Sequence, residues 1–130
     1  MCRDEFDMDR FKSINDTHGH DTGDAVLCAV VLTCKARLRT VDMLARRGGE
    51  EFLIVLPDTD AEAAIVIAER LREAVAAMLV PVGSNANVEF TVSIGVAVPV
   101  NDDLRDLLRR ADDALYMAKA GGRNRVVSAT

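Results

Sequence analysis

The chain has 130 residues, of which 49% are hydrophobic and 28% charged, with a formal net charge of −5. That length and apolar content suit one compact domain spanning 1–130. An acidic balance with no basic block excludes a general binder of nucleic acid or of an anionic membrane surface, both of which need a cationic footprint; a small anionic ligand held by a few local Lys and Arg is still accommodated.

No apolar run reaches the length of a membrane span, and the N-terminus lacks a signal-peptide core. No membrane contact is therefore expected of this chain, and a cytoplasmic location is expected, compatible with a larger membrane-anchored or sensory parent. Cys2, Cys28 and Cys34 show no CxxC spacing, which argues against a disulfide framework or a zinc site and for a reducing compartment.

In chain order, Asp9 to Thr17 has a helical pattern ending at a turn with Gly19 and Gly23. A longer helix is predicted from about Asp24 to Arg39, with Leu27, Val30, Val31, Cys34 and Leu38 on one buried face. Asp42 to Arg47 reads as a short strand. Gly48-Gly49 breaks it, and Phe52 to Leu56 follows as a continuously apolar strand expected to be buried on both faces. Thr59 and Glu62 fit a capping box for a helix with the stripe Ala64, Ile67, Ala68, Leu71, Val75 and Met78. Val82 to Asn87 reads as a loop. Val88 to Val98 alternates with period two, presenting one fully apolar face. A last helix starts near Asp103, buries Leu104, Leu107, Leu108, Ala111, Leu115 and Ala118, and stops at Gly121-Gly122. Arg125 to Ser128 can add an edge strand. The expected class is α+β: a sandwich with a central antiparallel or mixed sheet flanked by helices.

The chemistry concentrates in carboxylates. Glu50 and Glu51 sit at a hairpin tip, and Asp7 and Asp9 flank Met8 upstream. If the fold brings Asp7 near Glu50, two like charges about 4 Å apart repel by roughly 4 kcal/mol at an effective dielectric of 20. A divalent cation relieves that, and oxygen donors without His or Cys suit Mg²⁺ or Mn²⁺. Taken alone, a Gly-Gly-Glu-Glu turn is more simply a solvated acidic turn.

Several separated motifs change that balance. Asp7-Met8-Asp9-Arg10-Phe11-Lys12, Asn15-Asp16, Gly19-His20, Gly23-Asp24, Arg47-Gly48-Gly49-Glu50-Glu51-Phe52, Ser93-Ile94-Gly95-Val96 and the closing Ala111-Asp112, Ala114-Leu115-Tyr116, Ala118-Lys119 and Gly122-Arg123-Asn124 occur in order over nearly the whole chain. In this order they resemble the GGDEF domains of diguanylate cyclases, in a GGEEF form. The resemblance implies a nucleotide-cyclase or palm-like fold and the condensation of two GTP into cyclic di-GMP with release of two pyrophosphates.

The resemblance also implies roles. The metal would be held by Asp7, Glu50 and the main-chain carbonyl of Met8. Glu50 would help deprotonate the attacking 3′-hydroxyl, Glu51 would support a second metal ion, and Lys12 would neutralise phosphate charge. Asn15 and Asp24 look like guanine readers, because a carboxylate accepts from both N1–H and the exocyclic amine; Asp24 also suits a helix cap, and the two roles are compatible. His20 either touches substrate or packs in the loop. Lys119 and Arg123 resemble distal phosphate contacts, although cations at a helix C-terminus are favourable in themselves. Two GTP per product imply a homodimer, at least transient, with two-fold symmetry. Arg39-Thr40-Val41-Asp42 matches the family's product-inhibition motif in spacing; an arginine can bond guanine O6 and N7 together, and elsewhere RxxD is an ordinary helix-end charge pair.

Only Met1 to Phe6 precede Asp7, without the family's usual N-terminal helix and with part of its first strand missing, so the strand leading to Asp7 is expected to be short and poorly patterned. Two alternatives to an enzyme follow: a weakly active or inactive module that binds cyclic di-GMP or GTP as a receptor, and a regulatory domain with a relic site. The intact Glu50, Lys12, Asn15 and Asp24 favour the enzyme.

Overall fold

The structure, a computed structural model, describes residues 2–9, 16–17, 19–48, 50–82, 86–100 and 102–129, with the backbone alone at residues 2–8, 20, 81–82 and 86–88. Its elements are β1 (Cys2–Met8), α1 (His20–Lys35), β2 (Met43–Gly48), β3 (Glu51–Leu56), α2 (Ala61–Ala76), β4 (Val80–Val82), β5 (Ala86–Val88), β6 (Val92–Ala97), α3 (Leu104–Ala120) and β7 (Val126–Ser128). Five strands form one sheet in the order β2-β3-β1-β6-β7. The β2–β3, β3–β1 and β1–β6 pairings are antiparallel, and β7 runs parallel to β6. The mixed α+β sandwich and its C-terminal edge strand are as expected. Despite the charged residues around it, β1 is a seven-residue strand paired on both sides.

Strand β6 explains the layering. Val92, Ile94 and Val96 face a core filled by Val26, Val30 and Cys34 of α1 and Ala64, Ala68, Leu71 and Val75 of α2. Ser93, Gly95 and Ala97 point to the opposite face, where α3 lies, and Ala97 packs with Leu107 and Ala111. Both faces are thus buried, one by large side chains and the other by small ones. Gly95 is where α3 comes closest: a Cβ there would lie 2.4 Å from both the Ala111 carbonyl oxygen and the Leu115 nitrogen.

Local chemistry sets the helix boundaries, and three differ from expectation. Helix α1 begins at His20 rather than near Asp24, because Gly19 at φ 90° turns the chain into it, and ends at Lys35. Helix α2 is capped by Asp60, whose carboxylate accepts from the Ala63 N–H at 2.8 Å. The Thr59 hydroxyl donates instead to the Pro57 carbonyl at 2.9 Å. Helix α3 starts as expected, with Asp103 accepting from Arg105 and Asp106 N–H groups. Leu104, in the first turn, is exposed, and Leu108 is half-buried. In β3 the buried residues are Phe52, Ile54 and Leu56, with Leu53 and Val55 only half-covered. The period-two region around Val88 is split: Ala86–Val88 pairs with Val80–Val82 as a separate two-stranded ribbon, and only Val92–Ala97 enters the main sheet.

Candidate active site

The β2–β3 hairpin carries the acidic tip. Its ladder runs from Met43 opposite Val55 to Arg46 opposite Phe52, then slips so that Gly48 faces Glu51. The bulge tightens the local twist and aims the tip. Glu50 lies in the turn, half-buried, and Glu51 opens β3 with its side chain exposed. Phe52, the next residue, is 2% exposed and fastens the tip to the core.

On its other edge β3 pairs with β1, and here the register matters. Phe6 is opposite Phe52, and Asp7 is opposite Glu51. Directly opposed residues in an antiparallel pair have Cα atoms about 4.5–5.5 Å apart. The end of β1 and the acidic tip, distant in sequence, are therefore neighbours in the sheet. On the far side of β1, Asp7 faces Ser93 and Met8 faces Val92. The side chains of Asp7, Met8 and His20, and all of Lys12 and Asn15, lie outside the described residues.

Asp24 is exposed within the body of α1 and is not its cap; the capping position belongs to Gly19, which makes no side-chain cap bond. The capping role considered for Asp24 is thereby corrected. Lys119 is half-buried in the last turn of α3. Arg123 follows the helix at φ 64°, its N–H donating to the Ala118 carbonyl at 3.0 Å.

Two site-adjacent contacts were not foreseen from sequence. Arg47, beside the tip, pairs with Asp112 of α3 at 2.9 Å, tying hairpin to helix. Asp9, just past β1, is 6% exposed. Its carboxylate accepts from Thr91 Oγ1 at 2.5 Å, Ser93 Oγ at 2.6 Å and the Asn124 N–H at 3.0 Å. The available signal was the pair of hydroxyl residues, Thr91 and Ser93, alternating with apolar Val92 and Ile94 and so sharing the other face of the strand.

Arg39 and Asp42 meet at a separate place, where the chain leaves α1 for β2. Arg39 Nη2 donates to Asp42 Oδ1 at 2.7 Å, to Thr59 Oγ1 at 2.8 Å and to the Pro57 carbonyl at 3.1 Å; its backbone N–H donates to Asp42 Oδ2 at 2.8 Å. Burial of the Asp42 carboxyl favours its neutral form, but the hydrogen bonds from the Arg39 side chain and backbone outweigh it and hold the group below the ordinary carboxylate range. A cleft of about 310 Å³ opens here, with Arg37, Arg39 and Arg70 among its lining residues together with Asp42 and Asp58.

An antiparallel-centred mixed sheet, helices on both faces and an acidic β-hairpin tip beside the end of the central strand define a nucleotide-cyclase-like α+β domain. Residues 5–125 match the family described as diguanylate cyclase, GGDEF domain, and the chain belongs to that family. It is 48% identical over 124 residues to the diguanylate cyclase DgcM of Escherichia coli K12, covering 95% of this chain and 29% of that protein; the chain thus spans less than a third of that relative's length. Among solved structures it is similar to the GGDEF domain of DgcB from Caulobacter crescentus in complex with c-di-GMP, with TM-score 0.93, 36% identity, and coverage of 98% and 77% of the two chains. It is also similar to the active GGEEF domain of a diguanylate cyclase from Vibrio cholerae, with TM-score 0.90, 37% identity, and coverage of 99% and 82%.

Proposed function

We propose that this chain is a catalytic domain that condenses two GTP into cyclic di-GMP. The observation that carries the reading is the register of β1 on β3, which sets Asp7 opposite Glu51 and one residue from Glu50. The Vibrio cholerae domain, described as active, carries a GGEEF motif, and this chain has Gly48-Gly49-Glu50-Glu51-Phe52 at its hairpin tip.

The donor set at that tip fits a hard divalent cation. It offers carboxylate and main-chain oxygens, without His or Cys, on neighbouring strands. Asp7, Glu50 and the Met8 carbonyl are the residues that would hold Mg²⁺ or Mn²⁺, with Glu51 supporting a second ion; when bound, the metal neutralises phosphate charge and activates the hydroxyl.

The chain's own residues would do the rest. Glu50 takes the proton from the 3′-hydroxyl as general base. That oxygen bonds to the α-phosphorus of the facing GTP while the bond to pyrophosphate breaks, and the step occurs twice per product. Lys12, Lys119 and Arg123 counter the phosphate charge. Asn15 and Asp24 read guanine: an exposed carboxylate in α1, engaged in no cap, is open to the N1–H and amine edge. His20 opens the same helix and is assigned to substrate contact. Each domain supplies one GTP site, so a two-fold homodimer is the working form.

Arg39 and Asp42 form the product-inhibition site in this reading. The cleft beside them carries three arginines, which suits a bis-phosphate ligand with guanine edges. The same cleft favours a second reading, in which the domain binds cyclic di-GMP as a receptor with little or no turnover.

The test is to incubate the chain with GTP and Mg²⁺ and follow products by mass spectrometry. Glu50→Ala is expected to lower the rate of cyclic di-GMP formation by about 10²-fold or more, in the range general-base removal produces. Binding of cyclic di-GMP without any product from the parent chain selects the receptor reading.

A further inference from the structure

We propose that Asp9 is a positioning residue that holds the two halves of the nucleotide site together. The inference rests on the reading above. Asp9 does not reach the surface: it is 6% exposed, and its two oxygens are committed to Thr91, Ser93 and Asn124. A buried carboxylate is costly unless its lone pairs are filled. Here they are filled by two hydroxyls at 2.5 and 2.6 Å and one main-chain N–H at 3.0 Å, the short O–H···O⁻ distances of charge-assisted bonds.

What these bonds join matters more than their number. Asp9 directly follows β1, so its backbone fixes where Met8 and Asp7 end; its own N–H donates to the Thr91 carbonyl at 2.8 Å. Asn124 lies in the turn leaving α3, immediately after Arg123. That turn is conformationally expensive: Arg123 and Asn124 both have positive φ, 64° and 46°, a region non-glycine residues rarely occupy. The Asn124 N–H is held by the Asp9 carboxylate on one side, and its side-chain oxygen accepts from Arg72 Nη1 of α2 at 2.9 Å on the other. One buried carboxylate therefore clamps the strand end bearing Asp7 and Met8 to the turn bearing Arg123 and, one helical turn back, Lys119. Within the reading above, these are the metal side and the distal-phosphate side of one bound GTP.

Substitution separates the clamp from the charge. In Asp9→Asn the amide oxygen can accept from Thr91 and Asn124 while the amide nitrogen donates to Ser93 Oγ, so the geometry survives. Asp9→Ala removes every bond. Nucleotide affinity is measured by calorimetry with GTP and Ca²⁺, and folding by circular dichroism. Asp9→Ala is expected to weaken nucleotide binding by about tenfold to 10²-fold, the scale seen when a residue that orients a site's ligands is lost, while Asp9→Asn stays close to the parent. Leu56→Ala, buried at the end of β3 opposite the hairpin tip, serves as a destabilised control and is expected to leave affinity unchanged. Equal affinity in Asp9→Ala and the parent overturns the proposal, as does an equal loss in Leu56→Ala or a failure of Asp9→Asn to recover binding.

A second arm needs no nucleotide. Amide hydrogen exchange in the ligand-free chain should accelerate in Asp9→Ala at both ends of the clamp, Asp9 itself and Asn124–Arg125. Acceleration at only one end, or at neither, sinks the clamp. If the parent binds no nucleotide, the cyclase reading falls alone, and exchange still decides the clamp.

Discussion

Arg39 and Asp42 hold one another where the chain leaves α1, and they are also the residues assigned above, as a proposal, to product inhibition. The Arg39 guanidinium is spread over Asp42, Thr59 and Pro57, so it locks the exit of α1 against the start of α2. An arginine half in solvent adds only a small increment of stability through such a pair. Arg39→Ala is expected to cost no more than that in urea unfolding, while abolishing product inhibition of cyclase activity; inhibition at unchanged product concentration would count against the assigned site. Asp42 adds a pH signature. Its folded-state carboxyl is held below the ordinary range, so the pair's contribution is complete above the unfolded value near ~4 and is lost as pH falls through the lower folded value. Unfolding midpoints of the parent and Asp42→Asn should therefore differ at pH 6 and converge toward pH 2–3.

RxxD was legible at this scale because spacing alone brings i and i+3 together at a turn. The role of Asp9 was not. Its partners Thr91, Ser93 and Asn124 are more than 80 positions away; the β1–β6 register brings up the two hydroxyls, and the turn after α3 brings up the Asn124 N–H. The thiol of Cys34 was correctly read as core: it is 1% exposed, and burial pushes it up to about 12, which leaves it an unreactive packing group.

Among elements, β6 and α3 depend on each other most. Gly95 lets the helix backbone lie directly on the strand, and Gly95→Ala would drive a methyl to 2.4 Å from main-chain atoms of Ala111 and Leu115. Backbone cannot rotate out of the way as a side chain can, so a destabilisation at or above the usual overpacking cost of about 1–3 kcal/mol is expected, read as a lower denaturation midpoint. Displacing α3 also moves Lys119 and Arg123, so under the proposed function nucleotide affinity should fall with it. Asp103→Ala is a milder probe of the same helix. It removes the acceptor for the Arg105 and Asp106 N–H groups and should cost about 1 kcal/mol, with affinity unchanged because the proposed phosphate contacts lie at the other end of the helix.

Element types were readable where periodicity was strong, as in α2, α3 and β6. Boundaries moved where a local donor or a dihedral decided. Asp60 rather than Thr59 caps α2, because Thr59 is held by Pro57 and Arg39. The Val80–Val88 region reads as loop plus strand because three-residue strands leave too few residues to display a period.

For the molecule as a whole, activity is expected to be second order in the domain at low concentration. In the proposed reaction each chain would supply one GTP site while the product joins two, so the rate per chain should rise with chain concentration and level off once pairing saturates. Initial rates across a dilution series check this; a concentration-independent rate per chain down to the lowest dilution would show either that pairing is already complete or that the two-site scheme is wrong, and ultracentrifugation at that dilution tells them apart.

The amino-acid order alone determined the α+β class, the helix faces, the acidic hairpin and the family, because these depend on residue type repeated at short, fixed intervals. Tertiary structure decided which acidic positions are neighbours in the strand register. Asp7 comes opposite Glu51 only because β1 inserts between β3 and β6, and Asp9 is withdrawn into the interior only because Thr91, Ser93 and Asn124 converge on it. Two aspartates separated by one residue look alike in sequence. Strand pairing, which depends on distant parts of the chain, sets the Asp7 backbone opposite Glu51, and burial encloses Asp9.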